Sequence, residues 1–413
     1  MALIKPFKGV RPRKELAEKV AALPYDVMNT EEAMQMAAGN EYSFLHISRP
    51  EIDLPGEIDV HSDPVYDKGR DNLQAFLKKG VLLEDETERY YVYRQKMAGL
   101  TQTGLVVCAG VDDYQTGAIK KHELTRADKE EDRVRHIDAL SANDEPVFYT
   151  YRNDAAITET VAKVTCGLPL YDFTTDDGVS HALWGVTEQA VIDTLTARFA
   201  AIDTLYVADG HHRSAAASRV RDLRRQANPG HTGKEEYNFF LTVIFPDSEM
   251  TIMPYNRVVK DLCGKSVAEF MTRVGEKFEA TPVAAPLKPA RRHRFGMYLA
   301  GKWYELAPRD GSFAADDAVA SMDVSILQDN LLSPVLGVRN PRTDQRIHFV
   351  GGIRGIKELE RVVDSGEYQV AFSLFPTSIE ELMELADQDK IMPPKSTWFE
   401  PKLRSGLFLH LLD

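Results

Sequence analysis

An α+β fold is predicted for this chain by three observations. Apolar runs of strand composition recur, among them Tyr90-Tyr91-Val92-Tyr93, Gly104-Leu105-Val106-Val107-Cys108, Pro146-Val147-Phe148-Tyr149-Thr150-Tyr151 and Phe239-Phe240-Leu241-Thr242-Val243-Ile244-Phe245. Segments with apolar residues at helical spacing stand between them. At 413 residues the chain is too long for one ordinary core and calls for two or three domains. The expected division is an N-terminal α+β segment over 1–110, a central module over 111–260 and a C-terminal α+β segment over 261–413.

The elements follow in order. A short strand around Ile4 to Phe7 precedes a helix near Arg13 to Ala22. Thr30 is the expected N-cap of a helix from Glu31 to Ala38, with acids in its first turn. A helix from Pro64 to Lys79 aligns Val65, Leu73, Phe76 and Leu77, and two strands joined by a polar hairpin follow it. The cluster Lys121-His122-Glu123-Leu124-Thr125-Arg126 opens a charged helix through Lys129 to Arg133, which leads to the strand at 146–151. Residues 155–200 read as a helix, a β-rich excursion containing Trp184 and another helix. A strand over Leu205 to Ala208 then stops at Asp209-Gly210-His211-His212-Arg213, before an alanine-rich helix running to about Gln226. Pro282 through Pro289 reads as a surface loop, and the proline-marked stretch at 391–402 cannot continue a helix.

Composition narrows the class. Hydrophobic residues make up 43% and charged residues 27%, as in soluble globular proteins. A net charge of −13 argues against a protein-wide nucleic-acid footprint, which has to replace condensed counterions, and leaves room for a local basic pocket. No segment approaches the roughly 18 apolar residues of a membrane span, so a cytoplasmic protein is expected. Cys108, Cys166 and Cys263 are scattered and odd in number, as expected of buried thiols rather than disulfides or a metal site.

The turn at Asp209 to Arg213 carries the chemistry. Gly210 allows a sharp reversal, and the free N–H groups and dipole of the new helix favour an anion. Arg213 can fork two bonds to a phosphate, and His211 and His212 can donate to or orient its oxygens. Asp209 can hold Mg²⁺ or a substrate hydroxyl. In the earlier cluster, Glu123 is the candidate general base, with His122 and Thr125 as accessory residues, provided the two helix starts converge. The bland alternatives are a capping Glu123 and histidines that cap or pack, and a zinc site of His122, Glu123, His211 and His212 lacks the helical spacing of zinc hydrolases. Asp26 after Tyr25 fixes a turn or faces the site. Arg257 in Pro254-Tyr255-Asn256-Arg257 binds an anion or makes a salt bridge, and Lys395 sits in a loop able to close over a ligand. Gly351-Gly352-Ile353-Arg354-Gly355 lacks a dinucleotide or P-loop pattern.

These residues resemble the bacterial and archaeal family DUF1015. The resemblance runs nearly end to end, through Leu23-Pro24-Tyr25-Asp26-Val27, Ser43-Phe44-Leu45-His46-Ile47, Lys121-His122-Glu123-Leu124-Thr125, Ala208 to Arg213, Pro254-Tyr255-Asn256-Arg257 and Met392-Pro393-Pro394-Lys395-Ser396-Thr397. The middle segment is similar, more remotely, to the ParB/sulfiredoxin-like fold and within it to the free-serine kinases, which carry a His-Glu motif and then an Asp-Gly-His-His-Arg turn. That resemblance implies a ParB-like nucleotide-binding module with flanking α/β segments, binding ATP or ADP with Mg²⁺. It implies Glu123 as base toward a serine hydroxyl, and Asp209, His211, His212 and Arg213 on phosphates and metal. The chain departs from the pattern by the 155–200 insertion and the large flanking segments. Sulfiredoxin chemistry needs a cysteine where His211 and His212 stand, and a ParB-like DNA clamp is disfavoured by the acidic charge. The expected function is phosphoryl transfer from a nucleotide to a small metabolite's hydroxyl, free L-serine first among them. The alternative is a non-catalytic nucleotide- or metabolite-binding regulator.

Overall fold

The computed structural model describes residues 2–56 and 58–413. The chain forms two compact units, residues 1–250 with 401–413, and residues 251–400. Both combine helices with largely antiparallel or mixed sheets, the expected α+β class.

The first unit is built on a nine-stranded mixed sheet. Its order runs from Ile119–Lys120 through Leu205–Asp209, Val147–Tyr151, Phe239–Pro246, Leu100–Gly110, Tyr90–Met97 and Ser180–Val186 to Tyr171–Thr174, with Ile4–Lys5 paired beside Leu100–Gly110. The boundary expected at residue 110 therefore falls inside one sheet: Gly110 pairs with Phe239 and Ile4 with Ala109. The excursion at 155–200 is continuous with the same sheet, since Ser180–Val186 pairs antiparallel with Tyr90–Met97. Sequence periodicity detects such strands but not which partner they choose.

Apolar residues on one face, including Val92, Val107, Tyr149, Val207 and Phe240, pack with Leu195 and Phe199 of the helix Gln189–Ala200. A second cluster gathers Phe44, Ile47, Leu73 and Phe76 around Leu409. Leu409 arrives from the C-terminal residues 401–413, which bridge back to Val10, Ala22 and Asn143.

Local differences have local causes. Asn29, not Thr30, caps the helix Thr30–Ala37, because its side chain accepts from the Glu32 N–H while Glu32 returns the bond. The helix expected over Arg13 to Ala22 shortens to a 3₁₀ turn, Lys14–Leu16, and one α turn, Ala17–Val20. Cys108 is buried, but Cys166 and Cys263 are exposed.

The second unit holds a six-stranded antiparallel sheet in the order Phe278–Val283, Lys302–Pro308, Phe295–Leu299, Val370–Leu374, Tyr255–Val259, Ile347–Gly351. Pro282, expected in a loop, lies in the edge strand of this sheet, where a missing N–H is tolerated. Among the described residues, no helix is long and apolar enough to cross a membrane.

Candidate functional site

The strand Leu205–Asp209 ends in a register shift between Val207 and Asp209, a bulge that redirects the strand's last residue. Gly210 follows at φ +92°, a left-handed turn that glycine adopts without strain, and the helix His211–Ala227 begins at once. His211, His212 and Arg213 thus occupy the first turn, whose N–H groups have no carbonyl of their own helix to bond.

The two motifs meet here. The His122 and His211 rings pack edge to face, centroids 4.4 Å apart. His212 Nε2 accepts the backbone N–H of Arg126 at 3.1 Å, joining the turn to the residue that precedes the helix Ala127–Leu140. Burial drives His122 down to about 4 against the opposing pull of Asp209, and drives His211 well below the usual histidine range. Both rings are therefore neutral near pH 7 and supply no charge.

Charge comes from arginine and lysine. Arg213 is buried, donates to the Pro146 carbonyl and feels Asp26, Glu145 and Asp209. Burial works against its charge, and these acids outweigh burial. Lys402, returning from the C-terminal tail, donates to Asp209 Oδ2 at 2.8 Å. Burial disfavours an ionised Asp209, yet Lys402 and Arg213 hold its carboxyl well below the usual carboxylate range. Asp26, in the turn Tyr25–Val27, is exposed and acts on both Arg213 and His212.

The remaining expected residues have definite places. Glu123 is half-buried in the loop between Ile119–Lys120 and Ala127–Leu140. Thr125 is engaged locally, its hydroxyl donating to Glu130 at 2.8 Å. Arg257 belongs to the second unit, where it donates to the carbonyls of Tyr255 and Lys395. The expected Mg²⁺ at Asp209 does not fit the donor set. That carboxylate already takes the Lys402 ammonium and the Gly210 N–H, and the cation beside it is Arg213. Among the described residues, no group of three or more His, Cys, Asp or Glu side chains forms a metal cage, so the zinc alternative has no geometry either.

Sequence reasoning missed Glu145 and Lys402. Glu145 is buried, accepts from the Tyr25 N–H at 3.1 Å and from the Ser405 hydroxyl at 2.9 Å, and lines a cavity of about 10 Å³ with Arg133 and Arg213. That is room for about one water. Arg133 lies over the Tyr25 ring at 3.9 Å and pairs with Asp132. The available signal for Glu145 was an acid placed directly before Pro146 at a strand start. Lys402 carried none.

Burial pushes the Glu145 carboxyl up to about 7, helped by Asp144 and Asp26 and opposed by Arg213 and Arg133. A carboxyl raised in the folded state favours folding below its unfolded value near 4.5 and loses that contribution as pH rises through about 7. Denaturation of wild type and Glu145→Gln at pH 5 and pH 8 should therefore show wild type faring relatively better at pH 5, by up to about 3 kcal/mol. Equal differences at both pH values would mean that Glu145 titrates as an ordinary carboxyl.

Fold and turn together define an α+β protein in which a strand end and a helix start gather buried histidines, Arg213 and Asp209. The chain belongs to the family described as "Protein of unknown function (DUF1015)", which matches residues 4–325. No curated protein matches it. Among solved structures, it is similar to a free serine kinase in complex with AMP at 15% identity, over 74% of this chain and 91% of that one, with a TM-score of 0.36. It is similar to a conserved hypothetical protein from Pyrococcus furiosus at 14% identity, over 75% and 95%, with a TM-score of 0.36. For SbnI with a C-terminal truncation from Staphylococcus aureus the figures are 11% identity, 74% and 87% coverage, and a TM-score of 0.32. Superpositions this loose carry no argument about chemistry.

Proposed function

We propose that the first unit binds the phosphates of ATP or ADP at the turn Asp209 to Arg213 and transfers a phosphoryl group to the hydroxyl of a small metabolite, free L-serine being the first candidate. The observation that carries this reading is a pair of buried polar atoms, His211 Nε2 and Arg213 Nε, that have no hydrogen-bond partner among the described residues. Both stand at a helix start that already favours an anion, Arg213 Nε carries an N–H to donate, and polar atoms are costly to bury unsatisfied. Glu123, in the loop that carries His122 to the turn, is assigned the role of base that takes the hydroxyl proton as the acceptor oxygen bonds to the terminal phosphorus, while the phosphoanhydride P–O bond breaks and ADP leaves from ATP, or AMP from ADP. Arg213, with its fixed fork of donors, is assigned to neutralise charge on the transferred group. The order of the His-Glu and Asp-Gly-His-His-Arg motifs, like that of the free-serine kinases, supports the same assignment.

One observation favours a second reading, a regulator that binds the nucleotide without turnover: the Lys402–Asp209 pair leaves Asp209 engaged rather than open to a metal. Incubating the full chain with labelled ATP or ADP and a panel of amino acids separates the two. Phosphoserine, or another phosphorylated acceptor, is the expected result. Measurable nucleotide binding with no phosphorylated product would establish the regulator instead.

A further inference from the structure

Of the five arginines buried among the described residues, four have acids at hand. Arg133 pairs with Asp132, Arg221 with Asp112 and Arg404 with Asp177, while Arg213 faces Asp26, Glu145 and Asp209. Arg257, 3% exposed, has none. Its Nη1 donates to the Tyr255 carbonyl and its Nη2 to the Lys395 carbonyl at 2.9 Å, and its guanidinium lies 5.3 Å from the centre of the Phe349 ring. Those two bonds fix the plane of the fork and go to carbonyls, not to an acid. A buried cation without a counter-charge is expensive in a fold that compensates every other one.

Three separated motifs build the surroundings. Tyr255 pairs with Gly351, and Met253 pairs with Trp398. A Cβ on Gly351 would stand 2.8 Å from the Trp398 ring, and one on Gly352 would stand 2.7 Å from Pro254. The paired glycines therefore serve close packing, not a dinucleotide. Lys395 holds a left-handed backbone at φ +59°, a conformation that a side chain adopts only when its surroundings impose it. The Ser396 hydroxyl donates to the Pro393 carbonyl and the Thr377 hydroxyl to the Ser396 carbonyl, which pins the loop. The exposed Lys395 ammonium lies 5.7 Å from the centre of the Tyr255 ring, so a second cation stands at the corner that holds Arg257.

From this arrangement we infer that Arg257 and Lys395 form an oxyanion site on the second unit, taking a carboxylate or phosphate group of a small metabolite. The fork of Arg257 binds two oxygens of either group, and Lys395 adds a mobile charge from the rim. Burial presses the Arg257 guanidinium down to about 10 with no carboxylate to offset it, the direction an arriving anion reverses.

The test is calorimetric titration of the full chain at constant ionic strength, with inorganic phosphate in one arm and acetate in the other. Wild type should take up at least one probe saturably at millimolar concentration, and the arm whose uptake depends on Arg257 identifies the group, since phosphate also suits the turn at Asp209 to Arg213. Arg257→Gln should weaken that uptake about tenfold or more. Lys395→Gly removes the ammonium while suiting the left-handed backbone, so it keeps the fold and should weaken uptake several-fold. AMP affinity measured on the same samples reads the turn at Asp209 to Arg213 and should be unchanged in Lys395→Gly, which keeps the two readings separable. No saturable uptake of either probe by wild type, or uptake unaltered in Lys395→Gly, would overturn the site and leave Arg257 as a strut between strand and loop.

Discussion

Replacing Arg213 with alanine is expected to remove about 3–5 kcal/mol from the unfolding free energy at neutral pH, the range for breaking a buried ion pair by deleting one partner. The guanidinium is the cation that Asp26, Glu145 and Asp209 share, and it also satisfies the Pro146 carbonyl. Its loss leaves Glu145 without one of the two arginines that oppose its protonation and Asp209 with Lys402 as its main offset. Urea denaturation followed by circular dichroism measures the effect. Arg213→Lys should recover part of the stability, since it restores the charge, while still weakening AMP binding, since it lacks the fork. A loss below about 1 kcal/mol in the alanine variant would show that these groups are not energetically coupled. Sequence reasoning alone assigns Arg213 to a phosphate. Its burial among acids makes it structural as well.

The second large effect is kinetic and rests on the proposed phosphoryl transfer. Glu123→Gln keeps the shape and hydrogen bonding of the side chain but removes its basicity. A general base contributes about 10²–10⁴-fold to rate with little effect on ground-state binding. The variant should therefore lose kcat on that scale while AMP and ADP affinities stay near wild type, a separation that steady-state kinetics and calorimetry resolve together. A Glu123→Gln enzyme with wild-type kcat would remove Glu123 from the reaction. Asp26, an acid that acts on both Arg213 and His212, would then be the next candidate.

Neighbouring residues dictate the local elements of this chain. An apolar strand, a glycine and an alanine-rich helix in succession specify the turn at Gly210, because each follows from the conformational preferences of a few neighbouring residues. The helices over Asp63–Lys78 and His211–Ala227 and the strand pair at Tyr90–Met97 and Leu100–Gly110 were legible for the same reason. The cap expected at Thr30 lies one position earlier, at Asn29, because backbone conformation decides which of two adjacent competent residues stands at the helix start.

Which charged and polar groups meet depends on long-range packing. Lys402 reaches Asp209 across 193 positions, Ser405 reaches Glu145 across 260, and the Arg257 guanidinium is fixed by a carbonyl 138 positions away. Such pairings depend on strand order, on the return of the tail at 401–413 and on burial. None of these leaves a periodic trace in sequence, because ion pairing and desolvation act through space between segments whose separation along the chain is arbitrary. The same physics made Glu145, an unremarked acid before a proline, a buried carboxyl with a raised pKa. It also left Arg257, for which sequence reasoning weighed a salt bridge, without an acid.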